Sequence, residues 1–264
     1  MVRRSVLAMF AVMAIVLGVV VVSTPAGAVV DSATIVSSPN AGTRYDVLES
    51  VSCVSESECV AVGYTDTGSA NATLVMVWNG SVWSIVTSPS PGTNDVLESV
   101  SCVSASECVA VGYTYTGSAY VTLAMVWNGS VWSIVTSPSP GTNSDALKSV
   151  SCVSASECVA VGFTDTGSAY ETLAMVWNGS VWSIVTSPSP GTSEDALESV
   201  SCVSASECVA VGYTITGSAN VTVAMVWNGS VWSIVTSPNA GTNSNVLKSV
   251  SCVRSEERRV GKEC

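Results

Sequence analysis

The side chains of this sequence that could do chemistry are thiols, carboxylates and phenols. Its 264 residues hold 10 Cys, 20 acidic groups and 7 Tyr, but no His. The missing imidazole removes the usual general base near neutral pH and the commonest metal ligand. A net charge of -11 likewise argues against nucleic acid or an anionic lipid surface as partner.

Eight of the thiols form four identical pairs with five residues between members: Cys53 and Cys59, Cys102 and Cys108, Cys152 and Cys158, Cys202 and Cys208. A lone pair at this spacing, with no His and no second pair nearby, is a poor zinc site, and redox dithiols usually have two intervening residues. The reading that fits is a structural disulfide within each pair, stapling a short hairpin at its mouth. Closing a loop of about seven residues stabilises by about 2.4 kcal/mol at most. Cys252 opens a fifth such unit without its second member, and Cys264 is not expected to replace it. No metal and no cofactor are expected.

The carboxylates and phenols vary from unit to unit, which the thiols do not. After Gly-Tyr-Thr (Gly-Phe-Thr in the third unit) come Asp66, Tyr115, Asp165 or Ile215, followed by Asn71, Tyr120, Tyr170 or Asn220. The stretch before each Cys strand varies too: Arg44-Tyr45-Asp46, Asn94-Asp95, Asn143-Ser144-Asp145 and Ser193-Glu194-Asp195. Aromatic rings beside carboxylates on loops suit ligand contact, so the candidate ligand-binding residues are Asp66, Tyr115, Tyr120, Asp165, Tyr170 and Glu171. Drift in solvent-exposed loops is the competing explanation. The remaining acidic residues are expected to form a solvated surface.

The elements that must position these groups follow from a repeat. The first Cys of each unit falls at 53, 102, 152, 202 and 252, steps of 49, 50, 50 and 50, and a fixed period of this length means a stacked or circular array. Each unit carries four Val-rich segments bounded by Gly, Ser, Pro or Asn: Ser-Val-Ser-Cys-Val, Glu-Cys-Val-Ala-Val-Gly-Tyr, Thr-Leu-Ala-Met-Val-Trp and Val-Trp-Ser-Ile-Val-Thr. These predict four short strands. Between the third and fourth lie Asn79-Gly80, Asn128-Gly129, Asn178-Gly179 and Asn228-Gly229, which predict two-residue type I′ turns. Such a turn pairs Trp78 with Ser81 and Met76 with Trp83, setting the two Trp diagonally on one face. No amphipathic helix is expected after Ala28.

Four short antiparallel strands repeated about an axis make the blade of a β-propeller. Residues 33 to 253 resemble the repeats of secreted bacterial β-propeller proteins of Kelch-like or Asp-box-like blade length. Gly80-Ser81-Val82-Trp83 matches the Gly-x-x-Trp end of an Asp box, with Trp78 standing where that motif has Asp. The expected fold is all-β: four complete blades of about 50 residues, plus two partial ones. The partial ones are a leading outer strand (residues 34 to 39) and a trailing inner strand (residues 249 to 253). A β-solenoid is the structural alternative, but its coils usually repeat every 20 to 30 residues or fewer, about half this period. In a propeller the second-to-third and fourth-to-first connections emerge together, so one end of the ring is diversified and the other constant.

The termini read differently. Arg3 and Arg4 precede an apolar run from Val6 to Val22 and a small-x-small site at Ala26-Gly27-Ala28, so residues 1 to 28 are expected to be a cleaved signal peptide. An uncleaved N-terminal anchor, the single route to a membrane, is the alternative. Residues 254 to 264, Arg-Ser-Glu-Glu-Arg-Arg-Val-Gly-Lys-Glu-Cys, interrupt the fifth unit and resemble the in-frame translation of a sequencing-library adapter. Without both ends, residues 29 to 253 keep three basic residues (Arg44, Lys148, Lys248) against seventeen acidic ones, a net charge of -14.

Six Asn-x-Ser/Thr sequons are present. Four coincide with the Asn-Gly turns, which already explain them, leaving Asn71 and Asn220 as weaker matches. An enzyme is not expected: one Arg cannot form a sialidase-like arginine cluster, copper sites need His, and no carboxylate pair can be placed near the axis. These features point to an exported, noncatalytic scaffold binding an extracellular protein or glycan, with a multivalent lectin as the alternative and a fragment of a propeller hydrolase as a third reading.

Overall fold

A computed structural model describes residues 35–42 and 44–253; the expected signal peptide and the adapter-like tail lie outside the described residues. Sixteen strands form four antiparallel sheets, each a sequential four-stranded meander. The first blade has β1 (Asp46–Ser55), β2 (Glu58–Asp66), β3 (Asn71–Trp78) and β4 (Trp83–Val86). The second has β5 (Asp95–Ser104), β6 (Glu107–Tyr115), β7 (Tyr120–Trp127) and β8 (Trp132–Val135). The third has β9 (Asp145–Ser154), β10 (Glu157–Asp165), β11 (Tyr170–Trp177) and β12 (Trp182–Val185). The fourth has β13 (Asp195–Ser204), β14 (Glu207–Thr216), β15 (Ala219–Trp227) and β16 (Trp232–Val235). The described residues contain no helix. The fold is a β-propeller-like array of repeated blades.

The blades stack face to face, which explains why the middle strands read as unbroken apolar runs rather than alternating ones. Val109, Val111 and Ala124 of the second blade meet Leu147, Val150, Ala160 and Met175 of the third. The same meeting recurs between the third and fourth blades. At each of these contacts the Val and Ala of one blade thus fill against a mixed face of the next that carries its Leu, Met and Trp side chains, so stacking is head to tail.

The inner strands are joined by hydroxyls. Ser99 Oγ accepts from the Val150 amide at 3.1 Å and Ser101 Oγ from the Cys152 amide at 3.0 Å. Ser149 and Ser151 repeat this with Val200 and Cys202. The alternating serines of Ser-Val-Ser are therefore acceptors for backbone donors of the next blade, groups that would otherwise be buried without partners. Each inner strand also shifts register twice against its neighbour, in the second blade at Leu97/Ser99 opposite Gly112 and at Cys102/Ser104. A Cβ on Gly112 would lie 2.0 Å from the Val96 carbonyl oxygen, so only glycine fits there.

All four expected disulfides are present, Cys53–Cys59, Cys102–Cys108, Cys152–Cys158 and Cys202–Cys208, each joining directly opposed residues with Cα atoms 4.0 Å apart. Cys252 is disulfide-bonded as well, which corrects the expectation that it stands alone.

Two other expectations are corrected. The outer turn is not a two-residue one. Trp78 pairs with Trp83 and Met76 with Ile85, leaving a four-residue loop, Asn79 to Val82. The Asn79 side chain explains this: its Oδ1 accepts from the amides of Ser81 and Val82, both at 3.0 Å. Asparagine thus acts through its side chain, while Gly80 supplies the positive φ of +87°. The two Trp rings sit opposite each other, 5.6 Å between centroids, not diagonally.

Nor are the acidic residues all solvated. Asp95, Asp145 and Asp195, the first residues of β5, β9 and β13, are buried. Each closes a clasp at the end of its blade. Asp145 accepts from the Gly141 amide at 2.9 Å and from the Thr164 hydroxyl at 2.6 Å. Asp95 binds Gly92 and Thr114 in the same way.

Residues 35–40, where an outer strand is expected, and 245–253, where an inner one is expected, form no strand ladder among the described residues. The second segment lies where an inner strand would: Val250 and Cys252 donate to Ser199 and Ser201. Asn245 takes the clasp position of the aspartates, accepting from Gly241 at 2.7 Å.

Candidate functional site

The variable loops gather at one end of the blades because seam hydrogen bonds hold them there. Thr93 donates to the Tyr115 carbonyl and Tyr115 to the Asn94 carbonyl, both at 3.1 Å. Isolated parallel bridges join Asn71 to Asn94, Tyr120 to Ser144, Tyr170 to Glu194 and Asn220 to Ser244. The positions that vary most between units are thus the start of each third strand, where one blade meets the leading segment of the next.

Between the first two blades this seam opens into a polar depression of about 410 Å³, lined among others by Arg44, Tyr45, Asp66, Asn71, Asn94, Tyr115 and Tyr120. Three of the six residues expected from sequence meet there. Tyr115 and Tyr120 pack with centroids 4.9 Å apart and their planes tilted by 48°. Tyr120 also meets Tyr113 edge-on at 5.5 Å, and its hydroxyl accepts from Asn94 Nδ2 at 3.1 Å. The Tyr115 hydroxyl donates to the Gly117 carbonyl at 3.0 Å. Asp66 is buried, accepts from the Gly68 amide at 2.6 Å and lies 4.0 Å from the Arg44 guanidinium.

Asp165, Tyr170 and Glu171 belong to the third blade and do not line this depression. Asp165 repeats the turn contact of Asp66, accepting from Gly167 at 2.8 Å, and it also accepts from Asn143 Nδ2 at 3.3 Å. Tyr170 packs edge-on against Phe163 at 5.4 Å. Glu171 is exposed opposite Thr164. The Asp-to-Tyr-to-Ile variation at the head of this loop therefore has a structural component, since each Asp ties down its own turn.

Sequence reasoning placed Arg44, Asn71 and Asn94 in variable stretches without choosing them, and it missed Tyr113, which belongs to the constant Gly-Tyr-Thr. The change to Phe163 in the third unit was the available signal that this ring matters without its hydroxyl. Burial, reinforced by Glu98 and Tyr120 nearby, pushes the Tyr113 phenol up to about 12, so it stays a neutral donor. Burial and the hydrogen bond to Glu194 raise Tyr213 likewise. Lys148 on β9 pairs with Glu98 on β5 at 2.5 Å, and Lys248, in the segment after the fourth blade, pairs with Glu198 on β13 at 2.9 Å. Among the described residues no group of three His, Cys, Asp or Glu side chains could hold a metal ion.

No family model and no curated protein matches this chain. Solved structures do. One is an asparagine-to-glutamine variant of Aleuria aurantia lectin in complex with Fucalpha1-6GlcNAc, at 14% identity and TM-score 0.50, covering 79% of this chain and 67% of that one. The same fungal lectin is described as a six-bladed β-propeller. Another is YCF48 bound to D1 peptide, at 13% identity and TM-score 0.46, covering 73% of this chain and 54% of that one. The chain thus spans about half the length of YCF48 and two thirds of the lectin, and at these identities the likeness is one of fold.

Proposed function

We propose that this chain is an exported, noncatalytic β-propeller module that binds glycans, with the depression between its first two blades as a recognition site for one sugar residue. The observation that carries this reading is the convergence of the paired, mutually tilted Tyr115 and Tyr120 rings with Asp66, Arg44 and the amides of Asn71 and Asn94 around one polar hollow. Ring faces suit the C–H faces of a sugar. Carboxylate, guanidinium and amide groups supply the donors and acceptors that hydroxyls need. A lectin sharing the fold was solved with a fucosyl disaccharide, which favours a glycan over a peptide as occupant.

A single shallow site of this kind binds weakly, and avidity arises when several copies of the chain engage one surface together. Export is supported by four disulfides, which persist in oxidising compartments, and by the apolar N-terminal run. A noncatalytic role is supported by the sequence's lack of His and by the carboxylates at this end, where Asp66 and Asp165 are each engaged in holding a turn of their own blade.

The test is a glycan array probed with the intact chain. A restricted set of bound glycans, weakened at least tenfold by Tyr120→Ala, is the expected result. A chain that binds nothing at high concentration overturns the proposal and returns the protein-interaction scaffold as the better reading.

A further inference from the structure

The outer rim carries a feature that glycan recognition does not use. Among the described residues the fourth strand of every blade pairs with the third alone, so its other side is a sheet edge there, and each has the uncharged sequence Trp-Ser-Ile-Val. Bare edges invite pairing with another chain, and proteins usually blunt them with Lys, Pro, a bulge or a cover. Here the edge is apolar as well: Val82 is 53% exposed and Ile85 42%, and the other three blades repeat this. Beside each edge stands an Asn-Gly-Ser turn.

We propose that Asn79, Asn128, Asn178 and Asn228 are N-glycosylation acceptors, one per blade. This rests on the export proposed above. The geometry distinguishes these four sequons from the other two. At the turns the asparagine side chain uses only its Oδ1, which accepts from the amides two and three positions on; Nδ2 makes no hydrogen bond among the described residues and the residue is exposed. The serine two positions on is exposed as well. Asn71 and Asn220 instead lie within third strands. Their threonines are engaged: Thr73 Oγ1 donates to the Pro89 carbonyl at 3.0 Å, and Thr222 Oγ1 lies 2.7 Å from Ser237 Oγ.

The co-reactant is a lipid-linked oligosaccharide diphosphate. The asparagine Nδ2 forms the new bond to the anomeric carbon of the first sugar, the bond from that carbon to the diphosphate breaks, the lipid diphosphate leaves with the electron pair, and one amide proton is lost. The attached chain then lies over the apolar edge beside it.

The experiment expresses the whole chain in a eukaryotic secretory host and maps the product by peptide mass. Enzymatic release of the glycans converts each occupied Asn to Asp, a gain of about one mass unit per site. Conversion is expected at the four turns and not at Asn71 or Asn220. Ser81→Ala, Ser130→Ala, Ser180→Ala and Ser230→Ala should each remove one glycan while leaving the turn hydrogen bonds, which use backbone amides, in place. Chain deglycosylated at all four turns should self-associate at lower concentration than the glycosylated form. A chain that leaves the host unmodified, that never enters the secretory pathway, or that carries its glycans at Asn71 and Asn220 overturns the proposal. A glycan array run on deglycosylated protein tests the binding groove separately, so the two readings can fail independently.

Discussion

The Thr164 hydroxyl donates to the Asp145 carboxylate at 2.6 Å across nineteen residues of chain. Both groups are buried, and the bond ties the start of an inner strand to the end of its neighbour beneath the variable loops. The clasp varies in detail. In the fourth blade Asp195 still holds the Gly191 amide at 3.0 Å, but the buried Thr214 hydroxyl has no partner.

The clasp in the second blade makes stability depend on pH in a direction opposite to that in the first. Burial raises the Asp95 carboxyl, offset only in part by hydrogen bonds from Thr114 and Gly92. The native state therefore keeps this proton to higher pH than the unfolded chain, and stability falls as pH rises from the unfolded to the folded pKa. At Asp46 burial also acts to raise the pKa, but hydrogen bonds from Thr65, Ala41 and Gly42 outweigh it and the net shift is downward, so that contribution is lost as pH falls. Asp95→Asn should abolish the first dependence and be close to neutral near pH 7, since Asn245 already fills the equivalent position. Asp95→Ala should cost about 1–3 kcal/mol by leaving Gly92 and Thr114 unpaired. Urea unfolding across a pH series checks both, and equal losses for the two variants would contradict the clasp.

Removing one disulfide, as in Cys102→Ser with Cys108→Ser, should destabilise by up to about 2.4 kcal/mol on loop-entropy grounds. Because each bond closes a loop within its own blade, losses from different blades should add. Denaturation of single and paired knock-outs measures this, and strong non-additivity would mean that the staples act on blade contacts.

Among the paired tryptophans, Trp132 is buried against the neighbouring blade whereas Trp83 is only partly covered. Trp132→Ala should cost about 3–5 kcal/mol, and Trp83→Ala clearly less. Equal costs would show that the pair acts through ring contact alone.

Ser149→Ala should leave the Val200 amide without its acceptor between two blades, at a cost of about 1–3 kcal/mol. Hydrogen exchange should quicken along β13 first. Uniform loss of protection across all blades would show that the hydroxyl is not a local link.

How much was legible in the sequence varies with the range of the interaction. The repeat period, the Val-rich segments and the Cys spacing sufficed for a propeller of four-stranded blades and for four disulfides, because strand propensity, turn chemistry and short loop closure act over a few residues. The outer turn was misread because Asn-Gly supports two loops: one exploits the backbone freedom of both residues, while Asn79 bonds ahead with its side chain. Asp66, Tyr115 and Tyr120 could be chosen from unit-to-unit variation. That these three share a hollow, and that Asp165, Tyr170 and Glu171 do not line it, depends on contacts such as the Asn71–Asn94 bridge, which joins the first blade to the leading segment of the second.

Composition and periodicity by themselves determined the blade, its staples and the exclusion of imidazole chemistry. Tertiary structure alone decided that Asp95, Asp145 and Asp195 are buried clasps, that the serines of Ser-Val-Ser link adjacent blades, and that the Asn79 amide is open where Asn71 lies within a strand. The physical reason is that burial belongs to the stacked faces: an Asp or Ser reads as solvated until the next sheet, some fifty residues away, supplies the group it bonds and removes the water.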